Sequence, residues 1–169
     1  MANISFTGIV FDGFQPVDHI DDLQDGADVI VTLDLLQESF EALSEKAGRI
    51  AVAVDGDTNY RHLSAYTDRL SLVRVTFPVF ADGRGFSLAV RLRKDLGFKG
   101  ALIADGHVLP DQGQYLLRAG FDGAVVPDKR QAAFEKQLSR YQAFYQTTFN
   151  GDQSVAHQRH STASKVEAA

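Results

Sequence analysis

The 169-residue chain contains no cysteine and no tryptophan, and it has only one methionine and four prolines. The absence of cysteine excludes a thiolate nucleophile, a disulfide, a cysteine-held iron–sulfur cluster and a zinc site of the cysteine type. The chain also lacks a flavin motif and the glycine fingerprint of dinucleotide-binding proteins. Any redox role would therefore need electrons carried by a cofactor, which the sequence does not identify, or by a partner.

Basic charge and long apolar runs are also scarce. Lys and Arg total 17 against 22 Asp and Glu, so the net charge is −5 and no basic patch suggests nucleic-acid binding. No apolar run approaches the ~20 residues of a membrane span, and the N-terminal residues do not resemble a signal peptide. We therefore expect a cytoplasmic protein that binds neither nucleic acid nor a membrane.

The composition, 44% hydrophobic and 23% charged, is typical of a globular protein. We predict a single α/β domain over residues 1–149. Residues 150–169 are polar and lack apolar periodicity, which predicts a flexible tail. His157 and His160 lie in this tail, where solvated side chains are expected rather than metal ligands.

Short apolar runs alternate with amphipathic stretches along the predicted domain. Buried strands are predicted at residues 27–33, 49–54, 70–77, 100–104 and 123–126, and an edge strand at 4–11. One helix is predicted to begin after Asp34, which would be its N-cap. Further helices are predicted at residues 60–66, 87–96, 111–119 and 129–149. This alternation predicts a mainly parallel sheet with helices on both faces. About six strands are too few for a closed eight-fold barrel, so an open or half-barrel-like sheet is expected.

Ligands of parallel sheets bind at the carboxyl ends of the strands. Several polar residues follow predicted strands, namely Asp55, Asp57, Asp105, His107, Asp128 and Lys129. Each Asp has an alternative role as a turn or helix-cap residue. His107 has the pKa range of a general base, and its alternative is a hydrogen-bonded structural role.

The most informative segment is residues 77–87, with the sequence FPVFADGRGFS. Gly83 and Gly85 allow the backbone to approach a ligand, and Arg84 offers a bidentate guanidinium beside a helix start. This pattern predicts a pocket for a small anion. The alternative is a tight turn in which Arg84 pairs with Asp82 or Asp105.

At these residues the chain resembles the bacterial domain of unknown function 934 family. The family pattern reads Phe-Pro-x-Phe-x-Asp-Gly-Arg-Gly-Tyr-Ser, followed by Gly-Tyr-x-Gly, Gly-Asp-Val-Leu-x-Asp-Gln and Cys-Gly-Phe-Asp. The chain follows this pattern at Phe77, Pro78, Phe80, Asp82, Gly83, Arg84, Gly85, Phe86, Ser87, Arg93, Gly97, Phe98, Gly100, Gly106, Val108, Leu109, Asp111, Gln112, Gly120, Phe121 and Asp122. Three positions depart from the family pattern: Val90 replaces an Arg, His107 an Asp and Ala119 a Cys.

The resemblance implies a link to assimilatory sulfite reduction, because genes of this family accompany those of sulfite reductase. The resemblance implies an oxidoreductase-associated protein whose expected partner is sulfite reductase or another sulfur-assimilation enzyme. The pocket predicted at Arg84 adds a small anion as an expected ligand. A homo-oligomer is also compatible with the sequence. The candidate catalytic residues are Asp82, His107 and Asp111, and the candidate ligand-binding residues are Gly83, Arg84, Gly85, Ser87 and Gln112.

Two other functions stay open. A small metal- or acid/base-dependent enzyme could use the side chains that follow the strands, namely Asp55, Asp82, Asp105 and His107. A non-catalytic interaction domain would expose an apolar patch on the last helix, through Phe134, Tyr141 and Tyr145. The ordinary alternative for these aromatic residues is core packing.

Overall fold

The computed structural model describes residues 1–140 of the chain. In chain order, its strands and α-helices are β1 (Ala2–Ser5), β2 (Gln15–Pro16), β3 (Val29–Thr32), α1 (Leu33–Lys46), β4 (Ile50–Asp55), β5 (Leu70–Phe77), α2 (Arg84–Lys94), β6 (Ala101–Gly106), α3 (Gly113–Ala119), β7 (Gly123–Val126) and α4 (Gln131–Leu138). Short 3-10 helices occupy Ile20–Asp22, Tyr60–Leu63, Pro110–Gln112 and Asp128–Arg130. Within these 140 residues, no helix combines the length and the apolar character needed to cross a membrane.

All seven strands belong to one sheet in the order β1-β7-β6-β5-β4-β3-β2. Strands β2 to β7 are parallel neighbours in chain order, and β1 pairs antiparallel with β7 at one edge. The sheet curls into a half-barrel, which confirms the predicted α/β class and mainly parallel sheet. The additional strand is β2, whose two residues are too few to give a periodic signal.

The helices of residues 1–140 cover one face of the sheet rather than both faces, which corrects the prediction for this part of the chain. The larger apolar cluster joins one face of the strands to side chains of all four α-helices, such as Leu36, Leu88, Leu116 and Phe134. The cluster on the other face contains no helix residue. The physical reason is the consecutive strand order, because successive right-handed crossovers in one direction all lie on the same side of a sheet.

The N-terminal segment covers the lower part of the helix-free, concave face. Residues 6–14 connect β1 at one edge of the sheet to β2 at the other edge. Phe11 is buried on this face with Ile30, Leu72 and Ile103, and Phe14 packs beside them. We call residues 6–14 the strap.

Several predicted boundaries move. Thr32, at the end of β3, caps α1 by accepting a hydrogen bond from the Leu35 amide, so the predicted cap Asp34 lies inside the first turn instead. The predicted edge strand is shorter and ends at Ser5, because the chain then leaves the sheet as the strap. Helix α4 ends at Leu138 and two turn residues follow it. The rest of the predicted 129–149 helix and the predicted tail lie outside the described residues.

A buried ion pair ties the lower end of the half-barrel together. The Arg93 guanidinium, on α2, binds the Asp122 carboxylate and also donates to the carbonyls of Phe98, Gly100 and Gly120. Asp122 in turn accepts from the Leu102 amide at 2.9 Å. Burial lowers the pKa of Arg93, and the Asp122 carboxylate opposes that shift. The pair therefore joins α2, β6 and the loop before β7 through one satisfied network.

We predict that Arg93→Met lowers the free energy of unfolding by about 3–5 kcal/mol, because it leaves the Asp122 carboxylate buried without its cation. Arg91→Met is the matched control, since Arg91 lies on the same helix and pairs with Asp95 at 3.0 Å, with 60% of the arginine side chain exposed. An exposed pair contributes little, so the urea midpoint of this variant should stay near the wild-type value. Equal midpoints for the two variants would contradict the assigned role of Arg93.

Candidate functional site

Polar side chains concentrate at the carboxyl edge of the sheet in two places. The first is a groove between the β4–β5 connection and the start of α2, which we call the arginine groove. The second is the upper part of the concave face, over the ends of β3, β4 and β5, which we call the concave mouth. The turn from Asp55 to Thr58 lies between them, and Thr58 lines a cavity on each side.

Two glycines bring this turn against the start of α2. A Cβ on Gly56 would lie 2.7 Å from the Gly85 amide nitrogen, and a Cβ on Gly85 would lie 2.7 Å from Cζ of Phe77. Both positions therefore require glycine for close packing. The contact places Asp57 next to Arg84, although 27 positions separate them in the sequence.

Arg84 is held by two carboxylates. Its Nε and Nη2 donate to Asp82 at 2.9 and 2.7 Å, and its Nη1 donates to Asp57 at 3.0 Å. Asp82 also accepts from the Arg84 amide, one of the free amides at the start of α2. These bonds lower the pKa of Asp82 to about 2 and raise that of Arg84. The alternative of a tight turn predicted Asp82 or Asp105 as the partner of Arg84. Asp82 is indeed bound to Arg84, and the second partner is Asp57, not Asp105.

The arginine groove has a volume of about 550 Å³. Its polar walls come from Asp57, Thr58, Asn59, Tyr60, Arg61, Arg84, Ser87 and Arg91. The guanidinium carbons of Arg61 and Arg91 lie 5.9 and 5.8 Å from the centre of the Tyr60 ring. Arg91 also pairs with Asp95, whereas no ion pair of Arg61 is found among residues 1–140. The sequence analysis missed Arg61 and Arg91, because only the fold brings them to Arg84.

Of the predicted site residues, Ser87 lines this groove with Arg84, Asp82 binds Arg84, and Gly85 packs against Gly56. The remaining predicted residues do not join them. His107 is exposed after β6, and its amide donates to the Phe77 carbonyl at 2.8 Å. Asp111 is exposed in the 3-10 helix Pro110–Gln112. Gln112 is buried, and its Oε1 accepts from the Leu109 amide at 2.9 Å, so it caps that short helix. Gly83 is exposed at the start of α2.

The metal-enzyme alternative lacks a centre in the described part of the chain. No three His, Cys, Asp or Glu side chains of residues 1–140 come together as possible metal ligands. Asp55 and Asp105 lie on the concave face, two strands apart, while Asp82 is bound to Arg84 on the outer side. The four predicted ligands therefore do not meet.

The interaction-domain alternative also changes. Phe134 is fully buried and stacks on Phe6 with ring centres 6.0 Å apart, so it belongs to the core. Tyr141 and Tyr145 lie outside the described residues. The exposed large apolar side chains near the site are instead Val79 and Phe80, in the loop between β5 and α2.

The concave mouth is built from matching positions on neighbouring strands. The lower row of this face is apolar and consists of Ile30, Ala51, Leu72 and Ala101. The next row contains Thr32, Ala53, Arg74 and Ile103. The uppermost row carries Asp55, Thr76 and Asp105 on three adjacent strands. The face therefore changes from apolar to polar toward the carboxyl edge.

Arg74 is an unusual residue for the middle of a central strand. Its side chain is 29% exposed, and Nη1 lies 3.8 Å from Oδ2 of Asp105, which is longer than a hydrogen bond. The Nε atom is buried and has no hydrogen-bond partner. Leaving a buried donor unpaired costs about 1–3 kcal/mol, so this arginine is poorly satisfied by the protein itself. The sequence analysis did not single out Arg74, although a charge inside the apolar run LSLVRVTF is a signal that could have found it.

Together these features define an α/β half-barrel protein with a polar carboxyl edge. A family described as bacterial protein of unknown function, DUF934, matches residues 51–156. The chain belongs to this family, as the sequence resemblance indicates. None of the curated proteins matches the chain.

The Asp82–Arg84 pair gives a pH-dependent prediction. Because the folded-state pKa of Asp82, about 2, is below its ordinary value of 3.8, the pair stabilises the fold fully above that ordinary pKa. This stabilisation is lost as the pH falls through about 2. In Arg84→Ala the carboxyl-carbon NMR titration of Asp82 should move up toward 3.8. Asp28, whose pKa Arg49 lowers in the same way, is the internal control and should not move.

Proposed function

We propose that this protein binds a small oxyanion in the arginine groove and serves as an accessory protein of sulfite reduction. The observation that carries the proposal is that Arg61, Arg84 and Arg91 line one groove beside the first turns of α2. Guanidinium groups donate in a planar fork that matches oxyanions, and Ser87 adds a hydroxyl donor to the same wall.

The charge balance of the groove determines how an anion would bind. Arg84 keeps its bidentate bond to Asp82, whose side chain is only 10% exposed. The bond to Asp57 is exposed on both sides, 58% for each side chain, and is therefore weak. An oxyanion would take the place of Asp57 as the acceptor from Nη1 of Arg84. It would also accept hydrogen bonds from the Arg61 guanidinium.

Binding is favoured over catalysis by the chemistry present in the groove. No cysteine exists in the chain, and His107 does not line the groove. Electron transfer to a sulfur oxyanion would therefore belong to a partner enzyme. The family resemblance suggests sulfite reductase as that partner. Val79 and Phe80, 55% and 51% exposed, offer an apolar contact at the same edge of the sheet.

Thermal-shift measurements with sulfite, sulfate and phosphate test the anion site. At ten times Kd, a ligand adds about 1.4 kcal/mol, which raises the melting temperature by about 3–6 °C in a domain of this size. Arg61→Ala should abolish this rise in melting temperature without releasing a bound carboxylate. Arg49→Ala is the control, because it removes an equal charge at the opposite end of β4. The anion should still raise the melting temperature of this variant. The proposal is wrong if chloride at matched ionic strength gives the same shift, or if Arg61→Ala keeps it.

A pull-down with purified sulfite reductase tests the partner separately. The wild-type chain should capture the reductase, and Phe80→Asp should reduce capture, because a charge would be placed in the apolar contact. Tyr115→Asp is the matched control, since Tyr115 is 63% exposed on α3. Failure of the wild-type chain to capture the reductase would remove the accessory role and leave the anion site standing.

A further inference from the structure

We propose that the oxyanion taken by the arginine groove is the charged end of an organic monoester of phosphate or sulfate, whose organic group lies against Tyr60. This inference rests on the proposed function, because the charged end would use the same arginines. It adds the class of ligand, which follows from the size of the groove, its length along α2 and its aromatic wall.

The groove is larger than an inorganic oxyanion needs. Its volume of about 550 Å³ lies within the range of sites for organic small molecules, about 300–1,000 Å³. An inorganic oxyanion consists of one central atom and its oxygens, so it would leave most of this space to water. An organic group attached to the anion would fill the remaining space.

Helix α2 determines the length of the groove. Arg84, Ser87 and Arg91 line it at spacings of three and four residues, which lie along one side of a helix. The helical rise of about 1.5 Å per residue separates the Cα atoms of Arg84 and Arg91 by about 10 Å along the axis. Arg91 is also held toward the far end of α2, because its Nη1 binds Asp95 at 3.0 Å. A single oxyanion beside Arg84 and Ser87 would therefore leave the Arg91 end of the groove unfilled.

Tyr60 gives that end of the groove an aromatic wall. The residue is partly exposed, and the guanidinium carbons of Arg61 and Arg91 lie 5.9 and 5.8 Å from the centre of its ring. By comparison, Arg49 lies 4.6 Å from the centre of the Phe14 ring, so neither arginine covers Tyr60 as closely. Part of the Tyr60 ring is therefore available for apolar contact with a ligand.

The position of this wall is fixed by its neighbours. Asn59 caps the short helix Tyr60–Leu63 by accepting a hydrogen bond from the Arg61 amide at 3.1 Å. A hydrogen bond from Arg91 lowers the pKa of Asp95, and one from the Tyr60 hydroxyl lowers it further. Because both its backbone and its hydroxyl are held, Tyr60 can contact a ligand without a large cost in side-chain ordering.

The charge balance of the groove favours an ester over a bare anion. The carboxylates of Asp57, Asp82 and Asp95 bind two of the three arginines that line the groove. Three positive and three negative charges leave no net attraction for an anion, and only Arg61 offers a new ion pair among residues 1–140. Apolar contact between an organic group and Tyr60 adds binding energy that does not depend on this charge balance.

The experiment compares phenyl phosphate and phenyl sulfate with inorganic phosphate and sulfate, and with phenol as the ring without the anion. Backbone-amide NMR titration of the full chain, with up to about 10 mM of each compound, gives the Kd from the Arg61 and Ser87 resonances. At least one phenyl ester should bind about tenfold or more tightly than its inorganic anion and than phenol. Nuclear Overhauser contacts should join its phenyl protons to the ring protons of Tyr60.

Three variants test the aromatic wall. Tyr60→Ala should bring the Kd of the phenyl ester close to that of the inorganic anion, whose own Kd should not change. Tyr60→Phe keeps the ring and should keep the difference. Tyr115→Ala is the matched control, since Tyr115 is 63% exposed on α3 and does not line the groove, and it should change neither Kd. Should Tyr60→Ala fail to fold, the wild-type Kd values and the Overhauser contacts still give the answer.

The outcomes separate this inference from the proposed function. Equal Kd values for the phenyl esters and the inorganic anions, or an unchanged phenyl ester Kd in Tyr60→Ala, would overturn the inference and leave the anion site standing. Phenol binding as tightly as the esters would also overturn it, because the charge would then play no part. If no anion binds in a saturable way, with or without the ring, the anion site itself is wrong and the inference fails with it.

Discussion

The handedness of the crossovers is the constraint on which the rest of the structure depends. Because six parallel strands follow one another in chain order, right-handed connections place α1, α2 and α3 on the same side. Helix α4, which follows β7, packs on that side through Phe134. Among residues 1–140, no helix covers the apolar rows of the opposite face. The strap covers them with Phe11 and Phe14, and Phe11 reaches the second row at Ile103 and Gly123. The upper part is free to carry polar groups, and both candidate sites lie at that edge.

The lower end of the half-barrel shows how a family sequence pattern can serve the fold. Arg93 binds Asp122 and three carbonyls, two of which belong to Gly100 and Gly120. A Cβ on Gly100 would lie 2.7 Å from the Ser71 carbonyl oxygen, so the chain passes too close to β5 for a larger residue. These matched positions therefore secure the fold, whereas Arg84 and Ser87 line a groove at the other end.

Local periodicity was sufficient to predict the fold class, because the buried strands are continuous apolar runs bounded by turn residues. Local periodicity carries no information about the order of strands in the sheet. The sequence analysis therefore did not predict that the described helices lie on one face only. The same limit applies to the site. Asp82 lies two residues from Arg84 and was predictable as its partner, but Asp57 reaches it only through the Gly56–Gly85 contact. Arg74 did carry a local signal, since a charge within a central strand needs a reason.

The arginine groove and the concave mouth differ in how completely their arginines are paired. In the arginine groove, Arg84 and Arg91 already have carboxylate partners, so an anion exchanges one bond for another and only Arg61 gains a new one. In the concave mouth, Arg74 has a buried donor that the described residues leave unpaired. The sites also share a wall, because the Thr58 amide donates to the Asp55 carbonyl and closes the turn between them.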